Sequence, residues 1–183
     1  MSGSSLRFLS GVPLMVMAAA LLVLGVQRVV PPPAAASPQF DFGAALMDEG
    51  RRDEALEWYR ALARDNDPKA LRALAAAADR AGDMRARADA LSQLVRTGAA
   101  TLDEHIDAAR LLAAAGALQG ALTMLYNAER RFAGGLDERF LSFYAALARD
   151  ASRKDIALPL ARRMWTRTSS ERVLEILVSL SGS

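Results

Sequence analysis

Apolar and polar positions are distributed in two different ways along this chain. From Phe8 to Gln27 the sequence FLSGVPLMVMAAALLVLGVQ carries no charge, and Arg7 and Arg28 bracket it. A run of about 20 apolar residues can cross the ~30 Å hydrocarbon core of a bilayer as a helix, with the two arginines snorkelling to the interfaces. Pro13 falls in the first turns, where a missing N–H costs least. The pattern predicts one transmembrane helix within residues 8–30, after a short tail of residues 1–7. A cleaved signal peptide is the competing reading. Its site would be Ala34-Ala35-Ala36, beyond Arg28 and three prolines, so the uncleaved anchor is preferred. A buried core helix is disfavoured because the run is apolar on every side. Residues 31–37, PPPAAAS, form a stiff polyproline-type spacer. Ser37-Pro38 then reads as an N-cap followed by proline at the first helical position.

Beyond residue 38 the pattern becomes periodic. Four segments begin with a small residue and run into an apolar helix: Gly50 into Ala55-Leu56, Gly82 into Ala88, Gly116 into Ala121-Leu122, and Ser152 into Ala157-Leu158. Successive starts are 32, 34 and 36 residues apart, the length of two helices joined by short turns. Seven residues before each start stands another small residue: Gly43, Ala75, Ala109 and Ala145. Five past the turn stand Ala55, Ala121 and Ala157, and nine past it Tyr59, Leu91 and Leu125.

This register resembles the tetratricopeptide repeat. In that family one small residue lets the first helix of a pair approach the second, and another lets the second approach the next pair. The resemblance covers residues 38–167 and is closest over Gly43 to Pro68. The second repeat departs from it: Arg87 stands where alanine is expected, between Ala86 and Ala88, which suggests a one-residue slip. The fourth repeat has Ser152 at its turn, Ala161 at the large apolar site, and Pro159 inside its second helix, where a lost donor should kink it. Boundary residues agree with the register. Asp67-Pro68 starts a helix, Thr101-Leu-Asp-Glu104 is a capping box, and Gly134-Gly135 is a break. The expected helices are 38–49, 52–65, 68–81, 84–97, 101–115, 117–132, 136–150 and 153–167. A ninth, about 170–180, carries the stripe Val173, Leu174, Leu177, Leu180. It caps the last pair or opens a fifth. The fold implied over residues 38–183 is an all-α, right-handed α-solenoid of about four such pairs plus a C-terminal helix, preceded by the transmembrane helix.

Composition changes this picture little. Apolar residues are mostly alanine and leucine, both helix formers. The net charge of +2 and pI near 9.4 point toward nucleic acid until the charges are placed. No acid precedes Asp41, and Arg7 and Arg28 are the only basic residues before it. The rest therefore carries 21 basic and 21 acidic side chains, without the basic excess of a phosphate-binding domain. The absence of cysteine excludes disulfides, thiolate metal sites and thiol catalysis.

Candidate chemistry is sparse. His105, the only histidine, lies in a first helical turn where the resemblance places a packing residue; Asp103 and Asp107 nearby suit the positive end of the helix. No phosphate loop or nucleophile–base arrangement is present. The reading is a non-enzymatic chain with no cofactor, no metal, no nucleic acid and no small-molecule substrate. Trp58-Tyr59 reads as repeat packing rather than a ligand platform.

The resemblance implies a binding face lined by the first helix of each pair. On it the register places Asp48, Asp79 and Asp150, and the basic candidates Lys69, Arg72, Arg80, Arg110, Arg139 and Arg149. Arginine forks suit carboxylates, so an acidic or extended protein segment is the expected partner. A solvated helix face is the plain alternative. The acid-free N-tail favours an N-in anchor, and the Ala- and Arg-rich usage suits GC-rich bacterial coding. The repeats are thus expected on the periplasmic side of a bacterial inner membrane. In style rather than in motif, they resemble the repeat stretches of PelB-like exopolysaccharide-export proteins. That resemblance implies a scaffold in an envelope machine for secretion or polymer export. A periplasmic chaperone is the alternative.

Overall fold

A computed structural model describes residues 38–182. The expected transmembrane helix, tail and spacer, with the Ser37 cap, lie outside the described residues. Among the described residues no helix is long and apolar enough to cross a membrane.

The described chain is helical throughout. Its helices are α1 (Pro38–Asp48), α2 (Arg52–Leu62, extended by a 3-10 turn over Ala63–Asp65), α3 (Pro68–Ala81) and α4 (Met84–Thr97). They are followed by α5 (Leu102–Ala114), α6 (Leu118–Arg131), α7 (Glu138–Asp150), α8 (Lys154–Thr168) and α9 (Glu171–Ser181). Odd-numbered helices through α7 are the first members of pairs and even-numbered ones the second. The caps at Asp67 and Thr101 lie where the sequence places them, and Asp137 adds another. Asp67 Oδ2 accepts from Ala70 N at 3.1 Å ahead of Pro68, and Asp137 Oδ1 accepts from Phe140 N at 2.8 Å. Thr101 and Glu104 close a reciprocal capping box.

Each pair turns through the same hydrogen-bonded motif. The turn residues Gly50, Gly82, Gly116 and Ser152 all adopt positive φ. Their N–H groups donate to Met47, Asp79, Ala113 and Arg149, and the following N–H groups to Leu46, Ala78, Leu112 and Ala148. This is the 5→2 and 6→1 pairing of a Schellman cap, repeated four times. Glycine takes a left-handed backbone without steric cost, whereas Ser152 at φ 55 takes it against preference.

The small residues before these turns are all buried. At Gly43 the reason is explicit. A Cβ there would stand 2.5 Å from Tyr59 Cζ and 2.8 Å from Tyr59 Oη. Tyr59 Oη donates to the Phe40 carbonyl at 3.0 Å and Trp58 Nε1 to the Gln39 carbonyl at 2.7 Å, so both aromatics staple α2 to the first turn of α1.

The expected slip at Arg87 does not occur. The helix opened by the Asp83 cap starts two residues after its turn, as α2, α6 and α8 do. Ala55, Ala121 and Ala157 are fully buried at the equivalent site. Arg87 fits there because its long stem carries the guanidinium out to Asp79 (2.5 Å) and Asp107 (3.3 Å). Pro159 lies inside α8, which runs unbroken from Lys154 to Thr168. Pro159 and Asp155, whose carbonyl loses its donor, are both exposed, and water can satisfy that oxygen.

The core forms two clusters that meet within α5. Residues from Leu46 to Ala108 make the first and residues from Ala109 to Leu180 the second. His105 is buried in the pair of α5 and α6. Its Nδ1 donates to the Thr101 carbonyl at 2.7 Å, and its ring stands edge-on to Phe132 with centroids 5.5 Å apart. A ring packed and bonded in this way is a core residue.

Candidate protein-interaction face

The basic candidates lie on the first helices α3, α5 and α7, in different chemical states. Arg72 of α3 reaches one repeat ahead. Its Nε donates to Glu104 Oε1 at 2.6 Å, and its Nη2 to Glu104 Oε2 at 3.1 Å and to the Ala99 carbonyl at 2.8 Å. The fork on Arg72 and the capping bond from Thr101 N hold the Glu104 carboxyl below its ordinary range, against some desolvation. Arg80 reaches one repeat back, to Asp48 at 2.7 Å. Arg87 joins the same mesh through Asp79 and Asp107. These arginines act mainly as mortar between repeats. Exposed pairs of this kind contribute about 0–1 kcal/mol each, so their main effect is to fix how neighbouring first helices sit.

The other candidates are freer. Arg110 touches Asp107 at 3.4 Å and lies over the Phe143 ring, 5.6 Å from its centroid. Lys69, Arg139 and Arg149 are exposed and, among the described residues, have no ion-pair partner. The structure brings Arg110 and Arg139 together. They flank a groove of about 390 Å³ between α5 and α7. Its apolar walls are Leu102, Ile106, Phe140 and Phe143, and Asp103, Asp107 and Asp137 complete its rim. Lys69, Arg72 and Arg80 lie on α3, and Arg149 at the far end of α7; none of them lines it. The groove combines a guanidinium stacked on an aromatic ring, a free guanidinium and an apolar floor. That combination suits a peptide carrying both an apolar side chain and a hydrogen-bonding backbone or carboxylate.

Reading the arginines as a list missed the floor. Phe143 stands nine residues before its turn, level with Ala73 and Asp107 in neighbouring repeats. An aromatic residue at a position otherwise small or acidic is the feature that singles it out. Among the described residues no group of three or more His, Asp or Glu side chains is placed to hold a metal ion.

No family model matches the sequence, and no curated protein matches it significantly. Solved structures do match. The chain superposes on MamA with a TM-score of 0.53 at 13% identity, covering 78% of each chain. It superposes on a tetratricopeptide repeat protein from Parabacteroides merdae ATCC 43184 with a TM-score of 0.54 at 14% identity, covering 78% of this chain and 59% of that one. YrrB, described as a TPR protein with an unusual peptide-binding site, gives 0.51 at 14% identity over 80% of this chain and 86% of its own. The fold is the tetratricopeptide-repeat fold. At such identities the likeness speaks for the fold, and the four in-phase Schellman turns are its local counterpart.

Proposed function

We propose that this chain is a non-catalytic, membrane-tethered tetratricopeptide scaffold that holds a segment of a partner protein on the face built by α1, α3, α5 and α7. The observation that carries the reading is the groove between α5 and α7. There Arg110 is held over Phe143 while Arg139 stands free above an apolar floor. YrrB has the same fold and is described by its peptide-binding site, which supports a peptide ligand here. In this reading residues 8–30 anchor the chain and residues 31–37 hold the repeats off the bilayer. The repeats stand on the periplasmic side of a bacterial inner membrane and assemble part of a secretion or exopolysaccharide-export machine. An acidic, extended segment meets Arg139 and Arg149, because Arg72 and Arg80 are already engaged by Glu104 and Asp48. A chaperone would favour a wider apolar surface without the fixed Asp and Arg rim of this groove.

Site-specific photo-crosslinking in cells tests the proposal. A crosslinker at Arg139 is expected to trap one or a few envelope proteins, whereas one at Asn127, exposed on α6, traps none of them. The double variant Arg139→Glu, Arg149→Glu is expected to lose the adduct formed from a crosslinker at Arg110 while keeping full helicity. A broad set of nascent chains trapped from Arg139 would favour the chaperone, and exclusively cytoplasmic partners would overturn the topology.

A further inference from the structure

The second helices end on one edge of the array, the edge where the first helices begin. Contacts fix this arrangement. Trp58 Nε1 and Tyr59 Oη, late in α2, donate to the Gln39 and Phe40 carbonyls in the first turn of α1. Arg131, at the end of α6, brings its Nη1 to 3.3 Å from where a Cβ on Gly98 would stand, in the link between α4 and α5. Arg167, near the end of α8, donates from Nη2 to the Leu136 carbonyl at 3.0 Å, in the link between α6 and α7. The chain enters the array on this same edge, at Pro38.

The edge carries arginine in a fixed register. Arg64, Arg96 and Arg130 each stand fourteen residues past the turn of their pair. All three are exposed and, among the described residues, have no ion-pair partner. Arg131, Arg162 and Arg167 are exposed beside them. The acids in these last two turns are Asp65 and Glu129, and Glu129 is taken by Arg163. Across the edge, Asp67, Glu104 and Asp137 are turned to capping first helices. A helix dipole favours a cation in the last turn only, and Arg162 lies before it. Arg130 also lies over the Tyr126 ring, 5.9 Å from its centroid, and Tyr126 is 47% exposed. A guanidinium above a half-exposed phenol suits the headgroup level of a bilayer. The grooves with apolar floors lie elsewhere, between α5 and α7 and along the starts of α6 and α8. Cations set one per repeat along an edge, away from those floors, fit a flat anionic surface rather than a single bound chain.

We infer that this edge meets the anionic headgroups of the bilayer, with Arg64, Arg96 and Arg130 as its contact row. The inference rests on the membrane-tethered reading above. Residues 31–37 limit the height of the edge over the bilayer to about 22 Å in polyproline form. Headgroup attraction acts within about a Debye length, ~8 Å at physiological salt, and so favours the lower heights.

The chain has no cysteine, so a single labelling site can be introduced. Gly134→Cys places a donor fluorophore on this edge, where a Cβ meets nothing within 4 Å. Ala115→Cys places one on the opposite edge, exposed beside the turn at Gly116. The full chain is held in nanodiscs of phosphatidylcholine, alone or with about a third phosphatidylglycerol, with an acceptor on the headgroups. Energy transfer from position 134 is expected to exceed that from position 115 and to rise with phosphatidylglycerol. The rise should be lost near about 1 M salt. Arg64→Glu, Arg96→Glu and Arg130→Glu together should abolish it, with circular dichroism to check the fold. The triple glutamine variant, which adds no negative charge, should reduce it and serves if the glutamate variant does not fold. Transfer from position 134 that is indifferent to lipid charge, or to both triple variants, overturns the inference. So does a labelled polyglutamate peptide bound through the same arginines without any lipid effect, which would give the row to an acidic protein. Release of the chain from uncharged discs at alkaline pH would sink the tether instead. Capture by charged discs, lost in the triple variants, would then still support the edge, and no capture would overturn it too.

Discussion

The two halves of the repeat array are joined by different chemistry. Between Leu46 and Ala108 the buried core is largely alanine: Ala55, Ala63, Ala70, Ala75, Ala77, Ala78, Ala86, Ala90, Ala100 and Ala108. Small side chains bring helices close but bury little apolar area per residue. This half is also the one laced by arginine and carboxylate, through Arg80–Asp48, Arg72–Glu104 and Arg87 with Asp79 and Asp107. The half between Ala109 and Leu180 buries fewer alanines, and Phe140 and Val173 join the leucines, one methionine and one tyrosine that each cluster holds. Its one long-range ion pair joins Arg163 of α8 to the largely buried Glu129 of α6. This half also bears a cost the first does not. Tyr144 is fully buried, and its hydroxyl has no hydrogen-bond partner among the described residues. Burial pushes its phenol well above the usual tyrosine range. One backbone register is thus filled first with more alanine and interhelical charge, then with less alanine and a buried phenylalanine. What the repeat specifies is where a side chain goes, and each junction chooses how it is held.

That contrast can be attacked from either end. The largest effect is expected in the aromatic half. Phe140→Ala removes a side chain that is 1% exposed and should cost about 3–5 kcal/mol in urea unfolding. A loss under about 1 kcal/mol would mean that the second cluster is not the stronger one.

Acid should act on the first half. The folded-state pKa of Glu104 is lowered, chiefly by Arg72. Its contribution to stability is therefore full above the ordinary value of 4.5 and is lost as the pH falls through the folded value. Glu104→Gln should destabilise the chain at pH 7 and bring its unfolding midpoint toward that of the unmodified chain as the pH drops below about 4. An equal gap at both pH values would remove the Arg72–Glu104 strap from the account.

The smallest effect is expected at Arg87→Ala, which restores the alanine of the other repeats while removing two ion pairs. A loss of about 0.5–1 kcal/mol at low salt should vanish near 1 M salt. A larger, salt-independent loss would show that the arginine stem, not its charge, fills the site.

The fold was legible in the sequence because its punctuation is chemical. A left-handed turn leaves glycine, a close helix crossing leaves alanine or glycine, and a helix start leaves Asp67 or Thr101. The same residues made Arg87 misleading. With alanine on both sides, a slip looked cheaper than an arginine in a small-residue site, and only three dimensions show where its guanidinium escapes. Which of the basic candidates are engaged and which are free was not legible in the sequence. Asp48 and Arg80 both stand two residues before their turns, and their pairing follows that shared register. The fork from Arg72 to Glu104 depends on how far one repeat is staggered along the next, which spacing alone does not give. The groove floor at Phe143 depends on the same stagger.

The meeting of the two clusters inside α5 has a consequence for how binding would be felt. Ala108 and Ala109 are neighbours in the chain yet belong to different cores. The same helix grips α3 through Glu104 and walls the groove through Ile106 and Arg110. A peptide seated between α5 and α7 would resist any displacement of α5, and the alanine-rich half would inherit that resistance. Occupancy at one junction would thus be read as rigidity two helices away.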